Sequence, residues 1–80
     1  MSFPLSIFSL GKEVFVGNAN AVSVPAASGH MQILSSHTPL ITKLKEGDII
    51  IEAGEKKETI PIAGGILEVN PKEVVILVNF

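Results

Sequence analysis

The chain has 80 residues, a net charge of −2, 46% hydrophobic and 18% charged residues. That balance fits one folded domain over residues 1–80 and excludes the disordered class, in which low hydrophobicity and high charge prevent a core. All six basic residues are Lys, scattered apart from Lys56-Lys57, and Trp and Tyr are absent, so the chain offers neither the basic footprint nor the stacking platform that nucleic acid needs.

Zero Cys leaves no disulfide frame and no thiolate metal ligand, and makes a cytoplasmic location the default. No apolar run reaches the roughly 18 to 20 residues that span a bilayer, and residues 1–10 lack the basic flank and cleavage site of a signal peptide.

Apolar residues fall in short runs rich in Val and Ile, broken by Gly, Pro, Asn or charged pairs, which is the spacing of an all-β domain. Strands are predicted over residues 5–10 and 13–16, parted by Gly11-Lys12, and over 21–25 after a turn at Gly17-Asn18. Residues 31–34 and 40–44 follow, on either side of the polar stretch Ser35-Ser36-His37-Thr38-Pro39. Turn residues Lys45-Glu46-Gly47 and Ala53-Gly54-Glu55 then bound a strand at 48–52 and open another at 58–62. The last two, 66–69 and 74–78, are joined through Asn70-Pro71-Lys72. Most connections are expected to be tight hairpins, and the whole a two-layer β-sandwich of about nine to ten short, mostly antiparallel strands.

Pro61 has no N–H to give a ladder, which assigns its strand to an edge or a bulge. Ile49-Ile50-Ile51 and residues 74–78 are apolar on both faces, so a covering partner is expected over one of them.

Catalytic groups are hard to assemble. Ser28, His30 or His37, and Asp48 make a triad only on paper, with no helix to carry a nucleophile elbow. His30 and His37 are seven apart with no third ligand at a metal-site spacing, and Gly64-Gly65 is followed by Ile66-Leu67-Glu68-Val69 rather than the Lys-Ser/Thr and helix of a phosphate loop. No catalytic residue, metal or cofactor is therefore expected. The Gly64-Gly65 pair reads as structural, needed for a positive φ or a close backbone approach. The loop around His37 reads as either a long turn or a recognition loop held by a rigid scaffold.

Two segments in register carry a resemblance. Gly29-His30-Met31-Gln32-Ile33-Leu34-Ser35-Ser36-His37-Thr38-Pro39-Leu40 and Ala63-Gly64-Gly65-Ile66-Leu67-Glu68-Val69-Asn70-Pro71 resemble two conserved stretches in the epsilon subunit of F-type ATP synthases, and the residues between and after them follow that family's order of strands and turns. The resemblance implies the amino-terminal β-sandwich of a non-catalytic central-stalk subunit that touches the gamma subunit and the c-ring, coupling ion flow to ATP synthesis. It implicates Gly29, His30, Met31 and His37 in ring contact and Ser9 and Thr42 in gamma contact, with Gly64, Gly65 and Pro39 in structural roles.

It also implies a peripheral position on the cytoplasmic face of the bacterial inner membrane, with membrane association only through the complex. Two departures are His30 where relatives commonly carry an acid, and Gln32 where a glycine is usual. The chain ends after its last predicted strand, so the expectation is a short form without the family's carboxy-terminal helical hairpin. The competing reading is a generic β-sandwich adaptor for protein interaction. A carbohydrate module is disfavoured because such modules stack sugars on Trp or Tyr.

Overall fold

Alternating apolar residues, rather than any helical period, set the architecture of this chain. The computed structural model describes residues 1–35 and 38–80. Among the described residues nine strands form and no helix: β1 Phe3–Ser9, β2 Lys12–Ala19, β3 Ala21–Ala26, β4 Gly29–Leu34, β5 Leu40–Leu44, β6 Gly47–Ala53, β7 Lys56–Ile62, β8 Gly64–Val69 and β9 Val74–Asn79. They run in the order β2-β1-β9-β8-β5-β3-β6-β7, with β4 on the other side of β3. The sheet curls at β5 and β3 so that β2-β1-β9-β8-β5 forms one layer and β7-β6-β3-β4 the other.

The inward residues of the two layers make a continuous core. Leu5 and Ile7 of β1, Ile76 of β9 and Leu67 of β8 face Val22 and Val24 of β3 and Ile49 and Ile51 of β6, all essentially without solvent exposure. Each such side chain contributes about 1.5–3 kcal/mol by leaving water. β2 gains from a register shift between Ile7 and Phe8, a bulge that lets the consecutive residues Val14 and Phe15 both pack against the core.

Two expectations from the sequence are corrected. Gly17-Asn18 is not a turn: Leu5 pairs with Gly17 and Pro4 with Asn18, so β2 runs through both. Hairpins are also fewer than expected. They join β1 to β2, β3 to β4, β6 to β7 and β8 to β9, whereas the other connections carry the chain from one layer to the other. β1 and β9 pair in parallel. Pro61 lies on β7, at the end of the strand order and so on an edge.

Asn20, between β2 and β3, ties three segments. Its N–H donates to the Glu52 carbonyl at 2.7 Å, its Nδ2 donates to the Met1 carbonyl at 3.1 Å, and its Oδ1 accepts from the Gly54 N–H at 2.6 Å. Losing two solvent-accessible side-chain hydrogen bonds costs about 1–2 kcal/mol. Asn20→Ala should therefore lower the unfolding free energy measured by urea denaturation by that amount and speed hydrogen exchange at the Gly54 amide, while amides of β8 and β9 lose only the global stability difference.

Gly64 and Gly65 differ sharply in their surroundings. A Cβ on Gly65 would collide with the Leu77 carbonyl oxygen and sit 3.1 Å from the Val78 Cα, both backbone atoms of β9, whereas one on Gly64 would lie an ordinary 3.5 Å from the Leu44 carbonyl oxygen. Gly65→Val should cost more than about 3 kcal/mol, seen as a melting point at least ~12 °C lower, because the β8–β9 ladder has to part. Gly64→Ala should stay within about 1 kcal/mol of wild type.

Candidate functional site

A groove runs across residues of β2, β1, β9, β8 and β5. Residues directly paired across neighbouring strands share a face, so the pairings Lys43–Ile66, Ile66–Leu77, Leu77–Phe8 and Phe8–Glu13 define one row across five strands. All five residues line a groove of about 1450 Å³. Ile66 is 51% exposed and Leu77 55%, and Phe8 is half-buried. The row behind it runs Ile41, Glu68, Val75, Ser6 and Val16, with Ile41 the most exposed of the strand apolar residues.

These outward apolar residues have a simple origin. β9 reads Val-Val-Ile-Leu-Val without a polar break, so with Val74, Ile76 and Val78 buried inside, Leu77 has to face out. The sequence marked this strand, like Ile49-Ile50-Ile51, as apolar on both faces, with a cover expected over one of the two. It did not show that single apolar residues on β8 and β1 align with Leu77 into a continuous patch, because that alignment depends on the strand order and the parallel β1–β9 register.

Ser9 and Thr42 both line this groove. Ser9 ends β1, paired with Lys12, and Thr42 lies half-buried in β5, paired with Leu67. Through Leu67, Thr42 belongs to the inward face of β5, and Ser9 follows the outward Phe8, so both border the groove without being members of its Ile66–Leu77–Phe8 row.

Gly29, His30 and Met31 open β4 at a separate place, the tip of the β3–β4 hairpin, where Ala26 pairs with Gly29 and Pro25 with His30. Gly29 has φ 134°, a left-handed value that suits a residue without Cβ. His30 is exposed, while Met31 is half-buried and packs against the core. The tip therefore presents the His30 ring and the Gly29 backbone outward, with Met31 as their anchor. His37 lies outside the described residues. Pro39 is exposed just before β5, at the opposite end of the sandwich from Gly29: Leu40 pairs with Val69, whereas Gly29 stands by Ala26 and Leu44.

Among the described residues no polar or charged side chain is buried, and no three His, Cys, Asp or Glu gather where they could hold a metal ion. No helix is long and apolar enough to cross a membrane. What the geometry offers is a shaped apolar face with charged ends and a polar hairpin tip, both suited to contact with macromolecules.

The family model described as "ATP synthase, Delta/Epsilon chain, beta-sandwich domain" matches residues 2–80. The ATP synthase epsilon chain of Bordetella parapertussis is 40% identical over 76 residues, covering 94% of this chain and 54% of the relative. That of Bordetella avium is 42% identical over 74 residues, covering 91% and 52%. The chain spans about half the length of these curated relatives.

Among solved structures, the fold is similar to a chain of the Euglena gracilis mitochondrial ATP synthase OSCP/F1/c-ring assembly, with TM-score 0.85, 24% identity and coverage of 98% of this chain and 49% of that one. It is likewise similar to a chain of the Tetrahymena thermophila mitochondrial ATP synthase central stalk and c-ring, with TM-score 0.82, 14% identity and coverage of 100% and 65%. At these identities the likeness is one of fold.

Because Ile66 and Leu77 are half-exposed and sit on the outer face, replacing both with Ser should leave stability within about 1 kcal/mol. The same double variant should bind markedly less of an apolar dye at low micromolar protein, as measured by fluorescence titration.

Proposed function

The chain belongs to the β-sandwich domain family of the ATP synthase delta/epsilon chain, and from that membership we propose that it works as a non-catalytic central-stalk piece of a proton-translocating F-type ATP synthase. In this reading it joins the gamma subunit to the c-ring, so that ion flow through the ring is coupled to ATP synthesis at the catalytic head. In the same reading it needs no cofactor and meets the membrane only through the complex, on the cytoplasmic face of a bacterial inner membrane.

The observation that carries this reading is the groove. Ser9 and Thr42, the two residues the resemblance assigns to gamma, both border this groove, Ser9 at the end of β1 and Thr42 half-buried on β5 beside the outward Lys43 and Ile41. The residues assigned to the ring, Gly29, His30 and Met31, stand apart on the β3–β4 tip, with His37 as a further ring contact. A rotor coupling piece requires two separated surfaces on one rigid body, since torque passes only if both contacts hold at once. The groove suits the more apolar of the two contacts, and the tip the wetter and more salt-sensitive one.

Calorimetry with the gamma subunit from an F-type synthase of the same genome tests the assignment. One-to-one binding is expected, weakened at least about tenfold by Ser9→Arg or Thr42→Arg and little affected by His30→Glu. His30→Glu should instead alter retention by detergent-solubilised c-ring carrying gamma. A folded chain that ignores a competent gamma would overturn the rotor reading and leave a β-sandwich adaptor with another partner.

A further inference from the structure

Leu10 does nothing for the fold. It is the first of the two residues that turn β1 into β2, between the paired Ser9 and Lys12. At 98% exposure it is the most exposed large apolar residue among the described ones, and it has no part in the core. Such turn positions ordinarily go to Gly, Asn, Asp, Ser or Pro, which gain there by backbone freedom or local hydrogen bonds. A leucine gains nothing of the kind. We propose that Leu10 is the apolar knob of the gamma contact, and that gamma carries an apolar socket for it beside the groove. The inference rests on the rotor reading and deepens it, since Leu10 is not among the residues that the resemblance assigns.

Continuity with the groove is the first support. Leu10 lines it together with Phe8, Leu77 and Ile66, comes two residues after Phe8 and directly follows Ser9. The apolar patch on β8, β9 and β1 therefore runs on past the end of β1 to the turn. A partner that covers Ile66, Leu77 and Phe8 meets Leu10 at the margin of the same surface.

The turn also fixes the knob in advance. Only Leu10 and Gly11 separate Ser9 from Lys12, and Gly11 holds φ 67°, a left-handed value open to a residue without Cβ. A side chain carried on so short a turn between paired strands has little backbone freedom left to lose on binding, so more of its burial appears as affinity. Exposed Lys12 and Glu13 follow it and line the groove as well. They supply the polar rim that surrounds and dries a buried apolar contact. One leucine beside charges of both signs lacks the broad apolar face and basic flank with which a lipid surface is bound, whereas a protein socket with a polar rim matches it.

Titration calorimetry of the chain against gamma from an F-type synthase of the same genome tests the inference. Full burial of a leucine side chain corresponds to roughly 10- to 100-fold in affinity, and Leu10→Ser should weaken gamma binding by that factor. Circular dichroism and the melting point should stay unchanged, because the side chain is exposed in the free protein. Leu10→Met keeps the apolar volume and should bind within about threefold of wild type. Val16→Ser removes an exposed apolar side chain of the same layer that does not line the groove, and it too should stay within about threefold. Equal binding by wild type and Leu10→Ser overturns the inference and leaves the rotor reading standing, including the case in which the loss shows only in retention by c-ring or by anionic lipid vesicles. An equal loss in Leu10→Ser and Val16→Ser also overturns it, since general surface hydrophobicity would then be the cause. A competent gamma that ignores the folded wild-type chain overturns the rotor reading and the inference with it.

Discussion

The fold turns on one corner, where β3 hands the chain's hydrogen bonding from one layer to the other. At one end of β3 Ala26 pairs with Leu44 of β5, and at the other Ala21, Val22 and Ser23 pair with Glu52, Ile51 and Ile50 of β6. Leu44 and Ile50 are six positions apart where the facing Ala26 and Ser23 are three apart, so three residues of the β5–β6 strand bulge out of the ladder between them. The bulge bends what would be one long strand into two, each committed to a different layer. Around it the Ala27 N–H donates to Lys43 at 3.0 Å and the Lys45 N–H to Pro25 at 2.8 Å, which pins the corner from both sides.

Residue choice at this corner is constrained. Pro25 lies in an interior strand, an unusual place for a residue that cannot donate. Its carbonyl points toward Lys45, and the N and C=O of a strand residue face the same way, so its missing donor faces the bulge, where the ladder is already interrupted. Gly47 is the matching concession. A Cβ there would stand 2.7 Å from the Pro25 Cβ, so the glycine lets the bent strand pass over the proline ring. With the corner closed, the two apolar faces meet and the core forms. The outward residues Ile66, Leu77 and Phe8 of β8, β9 and β1 are then left as a continuous apolar patch.

Much of this was legible in the sequence. Every strand was found, with β5 in full and most others short by one to three residues, because β-branched runs and turn residues mark them locally. β2 was cut at Gly17, since a glycine-asparagine pair is a turn in most contexts. Here Phe15 fills the space above Gly17, within 3.4 Å of where its Cβ would be, and the ladder to β1 continues. What local pattern could not supply was adjacency. The parallel β1–β9 pairing joins the two ends of the chain, and without it Phe8 and Leu77 are unrelated residues 69 positions apart. The same holds for Asn20, an exposed polar residue whose importance comes from Met1 and Gly54 converging on it. Met31, which the resemblance implicates alongside Gly29 and His30, is turned toward the core by the two-residue period of the strand and anchors the hairpin tip.

The surface chemistry explains why no single residue of this chain advertises a role. A catalytic site concentrates perturbed groups in a cleft, and such groups leave a sequence signature. A face that works by shape and apolar area distributes its contribution over strands whose order is set only on folding. Each member, taken alone, is an unremarkable exposed Ile or Leu of the kind found on any protein surface. The patch acquires meaning because an 80-residue sandwich has little core to spare: burying only about 60% of its unfolded surface, it gains stability from whatever covers its outer layer. A protein bound to this face would add its binding free energy to the stability of the fold.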